Sequence, residues 1–444
     1  MRIRQISAMA LTLVGGVFAA LVHAQNPTLV QAPTLLAQGS TVTLAQALKA
    51  AHNNFDVALA RSAAAAALAD VLTADHAPLP TLSAKFSAMD LQNGIGGGSI
   101  LGDKRIDKGI GIDWTWERGN KRGLRTRAAQ RNASAAQSDL EDMQIQQLLT
   151  ASAAFFDLTA AQERVIQVEA IAAGTAQIAS TATRRVNAGD LARQDALRLE
   201  IESERAKGDV LAATLERQRA ALVLASLLGV DAAAPAQTLQ TQGSWPTPGA
   251  ATVDADPTDS AMQAWVDARP DLHAAMERVA AAQAALEGAG AQKKSDITWG
   301  VSLDHFPGTS TSLLELRMQM PLQFGYQFQG ETGRAQAQLT AAQDALDKAR
   351  RAAALELQGM KAQLQSVARR SQSFEQDILP RARQVAAQAE LAYAKGALAL
   401  NDLLDARRTL RATGLDALAA RADHAKAVTA WRLRTQPIAV MLAE

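Results

Sequence analysis

Two long stretches of the chain carry apolar or small residues at alternating spacings of three and four. Leu357, Met360, Leu364, Val367, Ser371, Phe374 and Ile378 form one seam; Ala151, Ala154, Leu158, Ala161, Val165, Val168 and Ala172 form another, 206 residues earlier. This is the period of helices that wrap around one another. One seam favours large side chains and the other small ones, a combination suited to close helix approach. The helical stretches run from about Leu124 to Val186 and from about Ala335 to Lys395, and at about 1.5 Å per residue each spans roughly 90 Å. Four shorter stretches lie where the helical composition stops. Thr81 to Met89 and Ile110 to Glu117 flank a run containing Gly94, Gly96, Gly97, Gly98 and Gly102, while Ile297 to Phe306 and Ser312 to Phe324 flank Pro307-Gly308. They predict two β-hairpins.

The pattern is duplicated. RAAQRNASAAQSDL at 127–140 parallels GRAQAQLTAAQDAL at 333–346, and the helix-breaking residues Gly174 and Pro380 share the same offset of 206. Beyond them the offset becomes 207, where VNAGDLARQDALRL at 186–199 parallels YAKGALALNDLLDA at 393–406, matching Gly189 with Gly396 and Asp195 with Asp402. Upstream, NFDVALA at 54–60 parallels RPDLHAA at 269–275 with an offset of 215, as loops of different length require. Each half therefore reads as helix, strand, strand, long helix, glycine tip and returning helix. The expected divisions are an N-terminal leader 1–24, an extended segment 25–42, a first repeat 43–230, a linker 231–257, a second repeat 258–436 and a tail 437–444.

Composition narrows the setting. Only 4% of residues are aromatic and about a fifth are alanine, which suits long helices better than a conventional globular core. Lys plus Arg is 45 against Asp plus Glu 44, without long runs of either sign, so no nucleic-acid footprint is visible. The absence of cysteine excludes a disulfide scaffold, a thiolate metal site and a lipid anchor on cysteine. Arg2 and Arg4, the apolar run Ala8 to Val22 and the small-residue ending Val22-His23-Ala24 occur in the order of a secretory signal peptide, with cleavage expected after Ala24.

Downstream no run of about 18 apolar residues is apparent, so membrane insertion would have to use the strands. Each is near the roughly nine to eleven residues that a tilted strand needs to cross a bilayer. Trp114 and Trp116 share a strand face, and Trp299 lies in the other hairpin, as a lipid-interface girdle requires. A soluble sheet packed on helices has the same spacing. Closure distinguishes the two readings: four strands cannot close in lipid without unpaired edges, so an inserted form must be an oligomer, and three chains would supply twelve strands.

These features resemble the TolC-like outer-membrane efflux factors over nearly the whole chain beyond the leader, with YAKGALALNDLLDA at the second tip as the most characteristic segment. WERGNKR at 116–122 and MPLQFGYQFQGETGRA at 320–335 are similar to the CzcC-like branch, which serves divalent heavy-metal efflux. The resemblance implies a mainly α fold with a β-barrel part: a homotrimer with a twelve-stranded outer-membrane barrel in lipid, on a long coiled-coil periplasmic tunnel. Its implied partners are a periplasmic adaptor protein and an inner-membrane RND-type pump. Drug or protein export by the same fold, and a soluble periplasmic coiled-coil scaffold, are the alternative functions.

The resemblance also assigns residues. Asp402 and Asp405 match aspartates that narrow the periplasmic entrance, and at a helical spacing of three they face nearly the same way. Asp195 keeps the first acidic position in the other repeat, but Arg198 takes the second. That substitution allows ion pairs across the entrance or an ordinary solvated helix face. Gly189 and Gly396 mark the tips where adaptor contact is implied. Catalytic signals are weak beside these: His52, His76, His273, His305 and His424 are scattered without ligand spacing, and NGIGGGS at 93–99 lacks both the P-loop lysine and the GxGxxG pattern. No enzyme activity, resident metal or cofactor is assigned.

Overall fold

The computed structural model describes residues 41–87, 106–230, 236–246, 257–306 and 310–436. The leader 1–24, nearly all of segment 25–42, the glycine-rich run 93–99, Pro307-Gly308, most of the 231–257 linker and the 437–444 tail lie outside the described residues.

The chain is mainly helical. It begins with β1 (Thr41–Val42), α1 (Leu44–Ala51), α2 (Phe55–Ala74), β2 (Thr81–Ser87), β3 (Asp107–Trp116), α3 (Lys121–Asn187) and α4 (Arg193–Leu227). A second set follows: β4 (Gln240–Thr241), α5 (Asp259–Asp267), α6 (Pro270–Ala291), β5 (Ile297–Phe306), β6 (Ser310–Gln319), α7 (Gln329–Ser373), α8 (Leu379–Ala394) and α9 (Leu400–Thr435). Thr43 and Gln46 form a reciprocal capping box at the start of α1, and the Asn54 side chain caps α2 by accepting from the Val57 N–H. The 67 residues of α3 extend about 100 Å at about 1.5 Å per residue.

Several local expectations change. Gly174 does not break α3, because one glycine costs only about 1 kcal/mol in a helix already held along its length. Pro380 sits in the first turn of α8, and a π-helical turn at Phe374–Ile378 passes the helix through to it. Strand β6 ends at Gln319 and not at Phe324, since Pro321 removes a backbone donor. Strand β3 starts at Asp107, three residues before the expected Ile110, because Asp107 pairs with Ser87 on β2 and Lys108 with His305 on β5. The parallel β1–β4 pair, Thr41 with Gln240 and Val42 with Thr241, is too short to leave a periodic signal.

Helices and strands repeat one order. The sheet runs β2-β3-β5-β6, all antiparallel, while α2 packs on α3, α3 on α6, and α6 on α7. Each of these helices is joined in sequence to the corresponding strand, so the edge pair of the sheet and the edge pair of the helical layer belong to the same segments. The stretch Leu44–Ala74 is apolar enough to meet the composition of a membrane-crossing helix, contrary to the sequence expectation. It is interrupted between α1 and α2, and α2 packs along α3 while leaving Phe55, Leu59, Leu68 and Leu72 more than half exposed at the layer's edge.

Two apolar clusters secure the middle of the helices. Phe155, Phe156, Leu158 and Leu224 gather around Val42 and Leu239, and Trp245 stacks on Phe156 at 6.0 Å. Leu357, Leu364, Val428 and Trp431 form the second, where Trp265 meets Trp431 edge-on at 5.6 Å. Beside it, Arg269 and Arg434 are buried among Asp271, Glu356 and Asp142, with Arg269–Asp271 at 2.8 Å and Arg434–Glu356 at 3.3 Å. Burial raises the Asp142 carboxyl above its ordinary range. Burial is also the largest single influence on Asp271, but hydrogen bonds from Arg269 and the Leu272 N–H and the charges of Arg269 and Arg434 together outweigh it and leave that carboxyl lowered.

His424 on α9 is 1% exposed, and its Nδ1 has no hydrogen-bond partner among the described residues. Burial holds its pKa below the usual imidazole value, with Glu375 opposing the shift. The folded state therefore favours neutral His424: its contribution is complete above the unfolded value of about 6.5 and is lost as pH falls towards the lower folded value. Thermal melts followed by helical circular dichroism should show a decline across that window, and His424→Leu should flatten it. Parallel declines in both proteins would exclude His424 as the acid-sensitive group.

Candidate functional site

The register of the sheet separates two chemistries. One face presents rows Leu82–Ile112–Val301–Leu316, Ala84–Ile110–Leu303–Leu314 and Trp114–Trp299–Met318, with Trp116 opposite Ile297 at the helix-proximal end. Most of these large side chains are exposed, Leu316 by 75%. The other face carries Ser83, Lys85, Asp113, Thr115, Thr298, Ser302, Asp304 and Arg317. This alternation fits a wall with hydrocarbon on one side and water on the other. Trp114 and Trp299, far apart in sequence, are directly opposed, and Trp116 extends their face by one step.

Glycines make room on the polar face. Gly109 lies opposite Asp304, and Gly300 opposite Asp113; a Cβ at either position would stand 2.0 or 2.2 Å from the facing carboxylate oxygen. Asp113 receives Arg317 from β6 and Ser83 from β2, so one carboxylate ties together the outer strands of the sheet. Ser302 donates to Asp304 at 2.9 Å, and the Thr115 and Thr298 hydroxyls are 2.9 Å apart.

At the opposite end of the long helices, Gly189 and Gly396 have φ of 83° and 73° and close equivalent turns. Asp190 N–H reaches Arg185 O at 2.8 Å, and Ala397 N–H reaches Ala392 O at 2.9 Å, satisfying carbonyls that the helix ends would leave open. Nothing lies within 4 Å of a Cβ built on either glycine, so the left-handed backbone and not crowding favours glycine there. Ala179, Ala182, Leu199 and Leu400 pack beneath the tips.

Asp402 and Asp405 stand exposed on the first turns of α9 on either side of buried Leu403. Arg198 of α4 reaches Asn401 at 3.4 Å and pairs with Asp195 of its own helix at 3.9 Å. Among the described residues, it makes no ion pair with Asp402 or Asp405. Asp405 instead lies 3.6 Å from Arg408. A cleft of about 430 Å³ is lined by Arg198, Glu202, Arg205, Asn401, Asp405 and Arg408.

The arginines of α9 form cross-helix connections that the single-sequence motifs missed. Arg408 bonds to Glu202 and Arg411 to Asp209 on α4, while Arg407 bonds to Glu390 on α8 at 2.7 Å. Residues at adjacent positions thus tie one helix to two others. A sequence signal existed in the separation of Arg408 and Glu202, which are 206 positions apart, but charge pairing at a repeat offset is not a recognised local motif. No grouping of three potential histidine, aspartate or glutamate metal ligands occurs among the described residues.

Residues 46–230 match the family described as outer membrane efflux protein. The chain is 28% identical over 299 residues to the cobalt-zinc-cadmium resistance protein CzcC of Cupriavidus metallidurans, covering 66% of this chain and 68% of that relative. Its fold is similar to that of a membrane protein from Pseudomonas aeruginosa, with a TM-score of 0.75 at 17% identity and coverage of 88% and 90% of the two chains. CusC gives 0.74 at 17% identity with coverage of 91% and 96%, and Campylobacter jejuni CmeC, an outer membrane channel, gives 0.71 at 13% with 88% and 85%.

The glycine notches generate a direct test. Gly109→Ala should cost about 1–3 kcal/mol through overpacking against Asp304, measured by denaturant unfolding of folded protein in detergent micelles. Combining it with Asp304→Ser should restore much of that loss. Additive losses in the double variant would reject the proposed steric coupling.

Proposed function

We propose that the chain, whose residues 46–230 match the outer membrane efflux protein family, is a TolC-like channel, and that three copies form the outer-membrane component of a tripartite exporter of divalent heavy-metal cations. The trimer is supported above all by the open sheet. Strands β2 and β6 lie at opposite edges, the lipid-type face continues to both, and backbone groups cannot remain unpaired in hydrocarbon. Pairing β2 of one copy with β6 of the next closes twelve strands around the polar face. The same joint brings α2 beside a neighbouring α7, giving the exposed leucines of α2 a dry partner. A soluble scaffold would leave the apolar sheet face in water.

The long helices extend the tunnel into the periplasm, where the Gly189 and Gly396 tips contact an adaptor connected to an inner-membrane RND-type pump. The pump drives passage, and this chain supplies a conduit without performing a chemical reaction. Divalent metal as cargo rests on the CzcC relative and on WERGNKR and MPLQFGYQFQGETGRA. If the cargo reading is correct, loss of this chain should increase susceptibility to cobalt, zinc or cadmium, measured by growth inhibition. Unchanged metal susceptibility together with increased drug susceptibility would redirect the cargo to organic compounds.

Asp402 and Asp405 act as the entrance constriction in this reading. Threefold symmetry gathers their carboxylates around one axis, while the Arg408–Glu202 and Arg411–Asp209 links hold α9 against α4. Alanine at both aspartates removes cation attraction and one local partner of Arg408. Planar-bilayer recordings should show a pore in the wild type, with weaker divalent-cation block and greater spontaneous conductance in the double variant. The difference in block should diminish at high salt as screening increases. An assembled double variant with unchanged conductance and block would place the constriction elsewhere.

A further inference from the structure

The junction between sheet and long helices contains a local surplus of positive charge. Along the first turns of α3, Lys121 pairs with Asp296 at 2.9 Å, Arg122 with Asp75 at 3.0 Å and Arg125 with Glu117 at 3.0 Å. Arg118, Lys293 and Lys294 have no carboxylate ion-pair partner among the described residues. These cations lie where the apolar strand face ends. The almost equal totals of basic and acidic residues in the complete chain make this a local excess and not a general basic surface.

Specific contacts bring the surplus to one seam. Arg118 lies two residues beyond Trp116, past the end of β3, and its Nη1 lies 3.9 Å from the Met320 sulfur. Its backbone N–H donates to Asp296 at 2.9 Å. The stem of Lys294 crosses Gly119, where a built Cβ would be 3.0 Å from Lys294 Cδ; the glycine φ of +76° also permits the turn. Lys293 is exposed on the adjoining turn, and Gln323 Nε2 donates to Gln292 O at 3.0 Å, tying the segment after β6 to this corner. That segment presents Leu322 and Phe324, the latter 86% exposed.

We propose that this seam binds anionic phospholipids in the periplasm-facing leaflet of the outer membrane. Arg118, Lys293 and Lys294 meet the headgroup phosphate, while Trp116, Leu322 and Phe324 receive the adjoining acyl region. Charge favours this occupant over a zwitterionic lipid, whose ammonium offsets the phosphate attraction. The apolar residues favour a membrane lipid over free phosphate, and interfacial tryptophan and arginine can bridge those environments. The inference rests on the outer-membrane reading, but adds a lipid preference and a location for it. Such binding would fix the vertical position of the barrel and brace the start of the helical tunnel.

The test uses purified full-length assemblies of wild type and Arg118→Gln/Lys293→Gln/Lys294→Gln, both reconstituted into phosphatidylethanolamine vesicles with and without phosphatidylglycerol. Matched oligomer mass and pore conductance establish that the compared assemblies are folded and inserted. Lipid retention by native mass spectrometry should favour phosphatidylglycerol in the wild type and fall roughly ten- to hundredfold in the triple variant, as expected for several interfacial charges. Equal retention by both proteins, including the result produced when neighbouring copies already neutralise the cations, would overturn the proposed surface. Equal wild-type affinity for the two lipids, or saturation by inorganic phosphate without lipid preference, would also overturn it. Failure of wild type to insert into either vesicle would instead defeat the outer-membrane reading and this inference with it; normal insertion without phosphatidylglycerol preference separates failure of the lipid inference alone. If the triple variant does not assemble, the same lipid and phosphate comparisons on wild type decide the proposal.

Discussion

The need to satisfy every backbone hydrogen bond in a hydrocarbon environment organises this structure more strongly than any single side chain. Strands β2 and β6 each retain an edge, while the apolar face extends over the intervening strands. A chain with this sheet is incomplete as a membrane wall. The consequence propagates beyond the sheet because its strand order is copied by α2, α3, α6 and α7. In the proposed trimer, closing one layer through neighbouring copies therefore brings the outer helices of the other layer together as well.

Different interactions maintain the two ends of that arrangement. In the wall, glycine opposite aspartate conserves space: Gly109 accommodates Asp304, and Gly300 accommodates Asp113. At the helical end, glycine serves backbone geometry instead, with Gly189 and Gly396 closing the same kind of turn in each repeat. Between them, long helices rely on small-residue packing and two aromatic clusters. The fold can thus change from a two-residue strand period to a helical period while retaining one lateral order.

Much of this organisation was legible in sequence because it repeats. The heptad seams indicated the long helices, the breaks in helical composition beside glycine and proline indicated the hairpins, and the paired glycines indicated the tips. The π turn at Phe374–Ile378 was less legible because Pro380 specifies a local disturbance without dictating whether the helix ends or changes hydrogen-bond pattern. The short β1–β4 contact and the buried Arg269–Arg434 cluster depend on residues distant in sequence. Trp114 and Trp116 were visible as a strand face, but their relation to Trp299 required the register. Near the tips, Asp402 and Asp405 were legible as a helical pair, while the Arg408 and Arg411 connections required two helices to meet.

Those connections also limit what the proposed acidic entrance would mean physically. Asp405 is within 3.6 Å of Arg408, whereas Arg198 turns towards Asn401 and Asp195. The local field is consequently a balance of carboxylate and guanidinium groups, not a bare ring of negative charge. Arg408 simultaneously contacts Glu202, so changing charge at Asp405 can alter helix placement as well as the local field. Exposed ion pairs each contribute only about 0–1 kcal/mol, which suits contacts that exchange partners more readily than a fully buried cluster does. The Arg269–Asp271 pair has a different physical role because separating it would leave the buried Arg269 charge in a poorly hydrated interior. Movement is therefore more easily accommodated at the exposed contacts between α4 and α9 near the tips than through the middle of the helical structure, where charge separation and loss of aromatic packing would occur together.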